Sequence, residues 1–248
     1  MNRYIIILLL ILTSATLNAE RGYYGITDKN DQNLPETVLM FNEDSVLVNV
    51  TDLIDKPTLL SFVYFRCQGF CNRAMEGIAE LIDKSDLTPG VHYQVLTISI
   101  DDKEKPSTAR LVKQKLLEDV HKMEAQEGWK FFTGNSEYIK RITSSAGWYF
   151  VRDESGYIHP LATLLITPKH KISQYFYGTF YMPVHFKLAV NDAWMEQSEP
   201  PRIKTLKYCY DYKSKANKKV RHLAIGFGIL TIFAVLGLFL KLSVGTRA

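Results

Sequence analysis

The sequence predicts an α/β domain of three layers built on a mixed sheet, followed by one C-terminal transmembrane helix. Three observations carry that prediction. Two continuous apolar runs, Thr58 to Phe65 (TLLSFVYF) and Tyr93 to Ile100 (YQVLTISI), read as buried central strands. Segments with helical spacing alternate with them, as a layered α/β domain requires. A stretch of eighteen residues from Leu223 to Leu240 carries no charge; at about 1.5 Å per residue it matches a hydrocarbon core roughly 30 Å thick.

In chain order, Met1 to Ala19 reads as a secretory signal peptide: Arg3, an apolar run from Ile5 to Leu12, then small and polar residues. Cleavage is expected near Ala19, with an uncleaved anchor as the alternative because Leu17 is bulky for its position. Residues 20–35 form a polar lead-in containing Gly22, Gly25 and Pro35. The domain proper is expected over 36–197. After the first strand, Ala74 to Ile82 has helical spacing, with Ala74, Ile78 and Leu81 on one face. The second strand is followed by a charged amphipathic helix over 107–125 and another from Ser136 to Ala146. Leu161 to Ile166 and Lys171 to Tyr177 read as paired strands around a turn at Pro168 to His170, and Pro183 to Trp194 closes the domain as a helix. A β-α-β-α-β-β-α order of this kind gives the mixed sheet.

Residues 198–221 are a basic linker with Pro200 and Pro201, 222–241 the membrane span, and 242–248 a short cytoplasmic tail. The signal peptide and the span together predict a globular domain held outside the cytoplasm. Lys213, Lys215, Lys218, Lys219 and Arg221 precede the span whereas only Lys241 and Arg247 follow it, which flanking charge alone would orient the other way. Long translocated domains override flanking charge, so the signal peptide decides, and the basic stretch is free to meet anionic lipid. The net charge of +4 rests largely on that stretch, so no nucleic-acid partner is expected.

The chemistry concentrates at Cys67 and Cys71, where the first strand hands over to a helix; ligands of open α/β sheets collect at such carboxyl ends. Four-residue spacing on a helix puts two β-carbons about 5–6 Å apart, which suits two thiolates on one metal. A disulfide wants about 3.5–4.5 Å and so needs an irregular first turn, which Gly69 would permit. The helix N-terminus, Arg66 and Arg73 would favour the thiolate. Soft thiolates select copper(I), zinc or iron–sulfur clusters; two cysteines are too few for a cysteine-only cluster or a closed zinc site, whereas copper(I) accepts two or three ligands. A stabilising disulfide is the competing reading for an exported protein. Of the six histidines, His92, His121, His159, His170, His185 and His222, His159 stands just before a buried strand, in a loop placed to reach the sheet's active end.

Four stretches then add up to a pattern: YFRCQGFCNRAMEG (64–77), SIDDKEKP (99–106), GWKFFTG (128–134), and HPLATLLITP (159–168) with QYFYG (174–178) after it. From about Pro35 to Tyr212 the chain resembles the Sco/SenC family, thioredoxin-like copper-binding proteins of cytochrome c oxidase assembly, and within it the bacterial branch with a C-terminal membrane helix. The resemblance implies a thioredoxin-like fold on which Cys67, Cys71 and His159 bind copper as Cu(I) or Cu(II). It implies a metallochaperone that serves the copper-centre subunit of cytochrome c oxidase, with a copper donor protein and a periplasmic thiol reductant as further partners, on the periplasmic side of the inner membrane. Two departures stand out. Gln68 replaces the usual proline after the first cysteine, and Gly69 and Phe70 stand where an aspartate is common. Asp101 matches a frequent family acid near the site.

The alternative is a membrane-tethered thiol–disulfide oxidoreductase, with Cys67 and Cys71 as a redox-active pair acting on the oxidase copper site or other exported proteins. A peroxiredoxin is disfavoured because no Thr or Pro lies between residues 66 and 73. Cys209, in KYCYDY, leaves an odd count of cysteines and reads as a residue without chemistry, a juxtamembrane thiol or an intermolecular link.

Overall fold

The computed structural model describes residues 23–67, 70–153 and 156–198 together with Gly228, Ile229 and Ile232; of Phe70, Cys71 and Asp153 only the backbone is described. The chain divides into two compact units, residues 1–200 and 201–248. The signal segment 1–19, the linker with Cys209 and nearly all of the apolar stretch 223–240 lie outside the described residues. Among the described residues no helix is long and apolar enough to cross a membrane.

The elements in order are β1 (Gly25–Ile26), β2 (Leu39–Asn42), β3 (Leu47–Asn49), β4 (Thr58–Val63), α1 (Phe70–Lys84), β5 (Gln94–Ser99), α2 (Pro106–Leu117), α3 (Ala125–Gly128), β6 (Trp129–Thr133), α4 (Ser136–Ser145), β7 (Trp148–Tyr149), β8 (Val151–Asp153), β9 (Gly156–Ile158), β10 (Ala162–Ile166), β11 (Ile172–Tyr177) and α5 (Pro183–Trp194). Seven strands form one sheet in the order β11-β10-β4-β5-β6-β2-β3. The central β4, β5 and β6 run parallel, while β10 and β2 join antiparallel on either side, so the sheet is mixed as expected. The fold is the thioredoxin-like α/β class.

Every residue of β4 and β5 is buried. Because strand side chains alternate between faces, Leu59 and Val63 face one core with α1 and α5, whereas Leu60 and Phe62 face a second core with α4. Helix α1 forms because Ala74, Met75, Ile78, Leu81 and Ile82 recur at helical spacing and are all buried, while Glu76 and Glu80 point away. Pro106 at the first turn of α2 loses no bond there. Asn135 caps α4 by accepting the Tyr138 N–H at 3.0 Å.

The structure departs from the sequence reading in three places. The helix expected over 107–125 stops at Leu117, and beyond it Asp83 on α1 accepts the backbone N–H groups of His121 and Lys122, which lie outside any helix. The run Trp129–Thr133 is a full strand, β6, and β2 with β3 extends the sheet beyond it. The chain before residue 36 also contributes: β1 pairs with β7, and Asn33 bridges to Lys171.

Helix α1 lies so close to the chain leaving β11 that a β-carbon on Gly77 would sit 1.9 Å from the Thr179 carbonyl oxygen. Only glycine allows that approach. Gly77→Ala is expected to cost about 1–3 kcal/mol, the usual range for overpacking, read as a lower urea midpoint of the full chain by the fluorescence of the buried Trp129 and Trp148.

Candidate metal centre

Strand β4 ends at Val63 because β5 ends with it: Val63 pairs with Ser99, and Ile100 N–H reaches the Val63 carbonyl at 2.8 Å as the last bond between them. The chain then turns, with Cys67 N–H donating to the Tyr64 carbonyl at 3.1 Å. Cys67 is half-buried and packs against the core cluster shared by α1 and α5. Cys71 stands in the first turn of α1 and its side chain is outside the described residues. The two cysteines therefore do not share a helix face. Cys67 precedes the helix, so the helical-spacing objection to a disulfide does not apply.

A buried carboxylate secures this turn. Glu104 Oε2 accepts the Phe65 N–H at 3.1 Å and the Ser99 hydroxyl at 2.6 Å, and Oε1 accepts the Arg66 N–H at 2.8 Å. The Arg66 guanidinium lies 3.5 Å from Glu104 and 3.4 Å from Asp101. Burial pushes the Glu104 carboxyl above its ordinary range; bonds from Ser99, Phe65 and Arg66 oppose the shift, and the nearby Asp101 charge adds to it. Arg66, expected to favour a thiolate, is thus committed to two carboxylates, and Arg73 is exposed on α1.

His159 comes from the other side of β4. Strand β10 runs antiparallel to β4 with Thr163 opposite Ser61 and Ile166 opposite Thr58. The residues before β10 therefore lie at the end of the sheet where β4 releases Cys67. The half-buried His159 ring stacks on Trp148, centroids 5.5 Å apart at 27°. Its Nδ1 is 3.0 Å from the Pro160 carbonyl, which only accepts, so the neutral ring carries its proton there and its basic nitrogen is Nε2. Tyr157, two residues earlier, meets Tyr64 edge-on at 5.4 Å and donates to Asp101 Oδ1 at 3.1 Å. Burial and then the Asp101 charge push the Tyr157 hydroxyl up to about 12.

Asp101 thus joins both halves of the site, holding Arg66 from the cysteine turn and Tyr157 from the histidine hairpin. Glu104, Tyr157 and Trp148 were not singled out by the sequence reading; Glu104 lies inside the flagged stretch 99–106, but nothing in that stretch marks it as buried. The other histidines lie elsewhere. His170 occupies the β10–β11 turn at the opposite end of the sheet, with φ 66°. His92 Nδ1 accepts the Thr88 N–H, His121 pairs with Asp83, and His185 packs on Phe176; His222 is outside the described residues. Among the described residues no three His, Cys, Asp or Glu side chains close on one point.

Two histidines should report these surroundings on opposite sides of the ordinary value. Burial depresses His159, whereas the hydrogen bond to Asp83 raises His121. An NMR titration is expected to show His159 losing its proton at lower pH than His121, with Asp83→Asn lowering His121 alone. Equal midpoints would contradict the described environments.

A family profile described as SCO1/SenC matches residues 28–183. No curated protein matches the chain. Among solved structures, a candidate electron-transfer protein of Aquifex aeolicus is 22% identical with a TM-score of 0.61, covering 67% of this chain and 95% of its own. A SCO1/SenC family lipoprotein of Bacillus anthracis is 23% identical with a TM-score of 0.53, covering 68% and 97%. The copper-bound ScoI of Arabidopsis thaliana is 19% identical with a TM-score of 0.52, covering 64% and 96%. At these identities the structures establish the fold, and the profile, which spans well over half of the sequence, establishes that the chain belongs to the SCO1/SenC family.

Proposed function

We propose that this chain is a copper metallochaperone that binds one copper ion through Cys67, Cys71 and His159 and helps assemble the copper centre of cytochrome c oxidase. The observation that carries the reading is the antiparallel β4–β10 ladder, which directs His159 to the end of the sheet where β4 releases Cys67. The donor chemistry supports it. Two thiolates and a neutral imidazole donating through Nε2 are a soft set suited to Cu(I), and the Pro160 contact that fixes the tautomer is the outer-shell support metal-bound histidines commonly have. Family membership and the copper-bound Arabidopsis relative point the same way. In this reading copper is cargo: it arrives from a donor protein, is held by the three ligands, and leaves to the copper-centre subunit of the oxidase. The domain works on the periplasmic face of the inner membrane, tethered by the apolar stretch 223–240, and a periplasmic thiol reductant keeps the pair in the dithiol form.

A second reading is favoured by one observation: Cys67 stands outside the helix and Cys71 in its first turn, a layout compatible with a reversible disulfide. In that reading the pair passes electrons to cysteines of the oxidase copper site or of other exported proteins.

Anaerobic copper titration of the full chain separates the two. One equivalent of Cu(I) is expected to bind tightly. Cys67→Ser, Cys71→Ser and His159→Ala should each weaken binding by more than ~100-fold, since outer-shell changes alone cost about 10–100-fold. If His159→Ala leaves copper affinity and the Cu(II)–thiolate absorption unchanged, the three-ligand centre is wrong. Disulfide reduction by metal-free protein, undiminished in His159→Ala, would establish the second reading instead.

A further inference from the structure

The hydrogen bonds between β4 and β5 stop at Val63 and Ile100, and two backbone N–H groups just beyond the end of β4, those of Phe65 and Arg66, bond outside the ladder. Both are taken by one side chain, Glu104, whose carboxylate is fully buried and receives the Ser99 hydroxyl as well. The bonded residues are the two immediately before Cys67. We propose that Glu104 is the positioning residue of the site: by holding the backbone of Phe65 and Arg66 it aims the Cys67 thiol and so sets how tightly the cysteine pair grips copper.

The position calls for this side chain. All the groups facing the two oxygens are donors, so only an ionised carboxylate, which is acceptor-only, satisfies them together. Glutamine would turn an NH₂ toward a donor, and aspartate, one methylene shorter, would give up part of the set. A further bond within the turn, Cys67 N–H to the Tyr64 carbonyl, is internal and does not tie the turn to the sheet. Asp101 meets the Arg66 side chain, whereas Glu104 holds the main chain of the turn.

The inference rests on the reading of Cys67 and Cys71 as the working pair, and the test keeps the two apart. In the full chain, Glu104→Gln, Glu104→Asp and Ser99→Ala are compared with wild type. Cu(I) affinity is measured by competition with a chromophoric chelator, and the Cu(II)–thiolate band by absorption. The exchange constant of the Cys67–Cys71 dithiol with glutathione is measured on metal-free protein, with circular dichroism to verify the fold. Glu104→Gln is expected to bind Cu(I) at least about tenfold more weakly with a displaced band, and to change the exchange constant about tenfold, or roughly 30 mV. Glu104→Asp should fall between, and Ser99→Ala, which keeps both main-chain bonds, should stay within about twofold. Folded Glu104→Gln with wild-type affinity, band and exchange constant overturns the proposal, as does an equal effect of Ser99→Ala. If wild type takes up no copper, the exchange constant alone decides: the copper reading fails, while a tenfold shift still supports Glu104 and an unchanged constant overturns it. If Glu104→Gln does not fold, Glu104→Asp carries the same outcomes.

Discussion

A single buried carboxylate organises the end of the sheet where the chemistry is gathered. Glu104 takes the place of strand pairing where β4 and β5 part, and it holds both the main chain before Cys67 and the Arg66 side chain. Burying an ionised group is costly unless its lone pairs are filled. Here Ser99, two main-chain N–H groups and a guanidinium fill them, and the carboxyl still sits above its ordinary range because burial outweighs those bonds. Asp101 is the complementary element. It bonds Tyr157 from the histidine hairpin and pairs with Arg66 from the cysteine turn, so the two halves of the site share one anchor.

The rest of the domain holds these groups still. Two hydrophobic cores lie on opposite faces of one sheet, and the central strands are buried throughout, so the ends of β4 and β10 have little freedom to shift. The Trp148 ring belongs to the α4 side of the sheet and supports His159; the cluster on the α1 side receives Cys67. The site therefore straddles the sheet's end, with one ligand candidate backed by each core.

Much of this architecture was legible in the residues. Continuous apolar runs marked β4 and β5 because strands buried on both faces show no alternation, and Ala74, Ile78 and Leu81 marked the buried face of α1. The cysteine pair and His159 stood out as candidate donors, each beside a strand. Three things were not visible. Beyond the end of α2 at Leu117, main-chain N–H groups bond to Asp83 on another helix, a tertiary contact that leaves no mark on local periodicity. Strand β6 is short and aromatic, and its five residues became a strand through pairing with β5 and β2. Glu104 reads as one more charge in DDKEK, and only the folded chain distinguishes it from its solvated neighbours.

The β4–β10 ladder also dictates where this chain tolerates changes in length. Strand side chains alternate, so a one-residue slip of the ladder would advance the histidine segment by about 3.3 Å and exchange the faces of every residue on β10. Pro160 and Leu161, between His159 and the strand, are therefore a spacer of fixed count. The turn at Pro168 to His170 lies at the far end of the same strand and is held by contacts of its own: Leu34 N–H donates to the His170 carbonyl, and Lys169 N–H donates to Glu196. The histidine arm is thus fixed in length by its register with β4, and the turn at its far end by the chain before residue 36 and by Glu196.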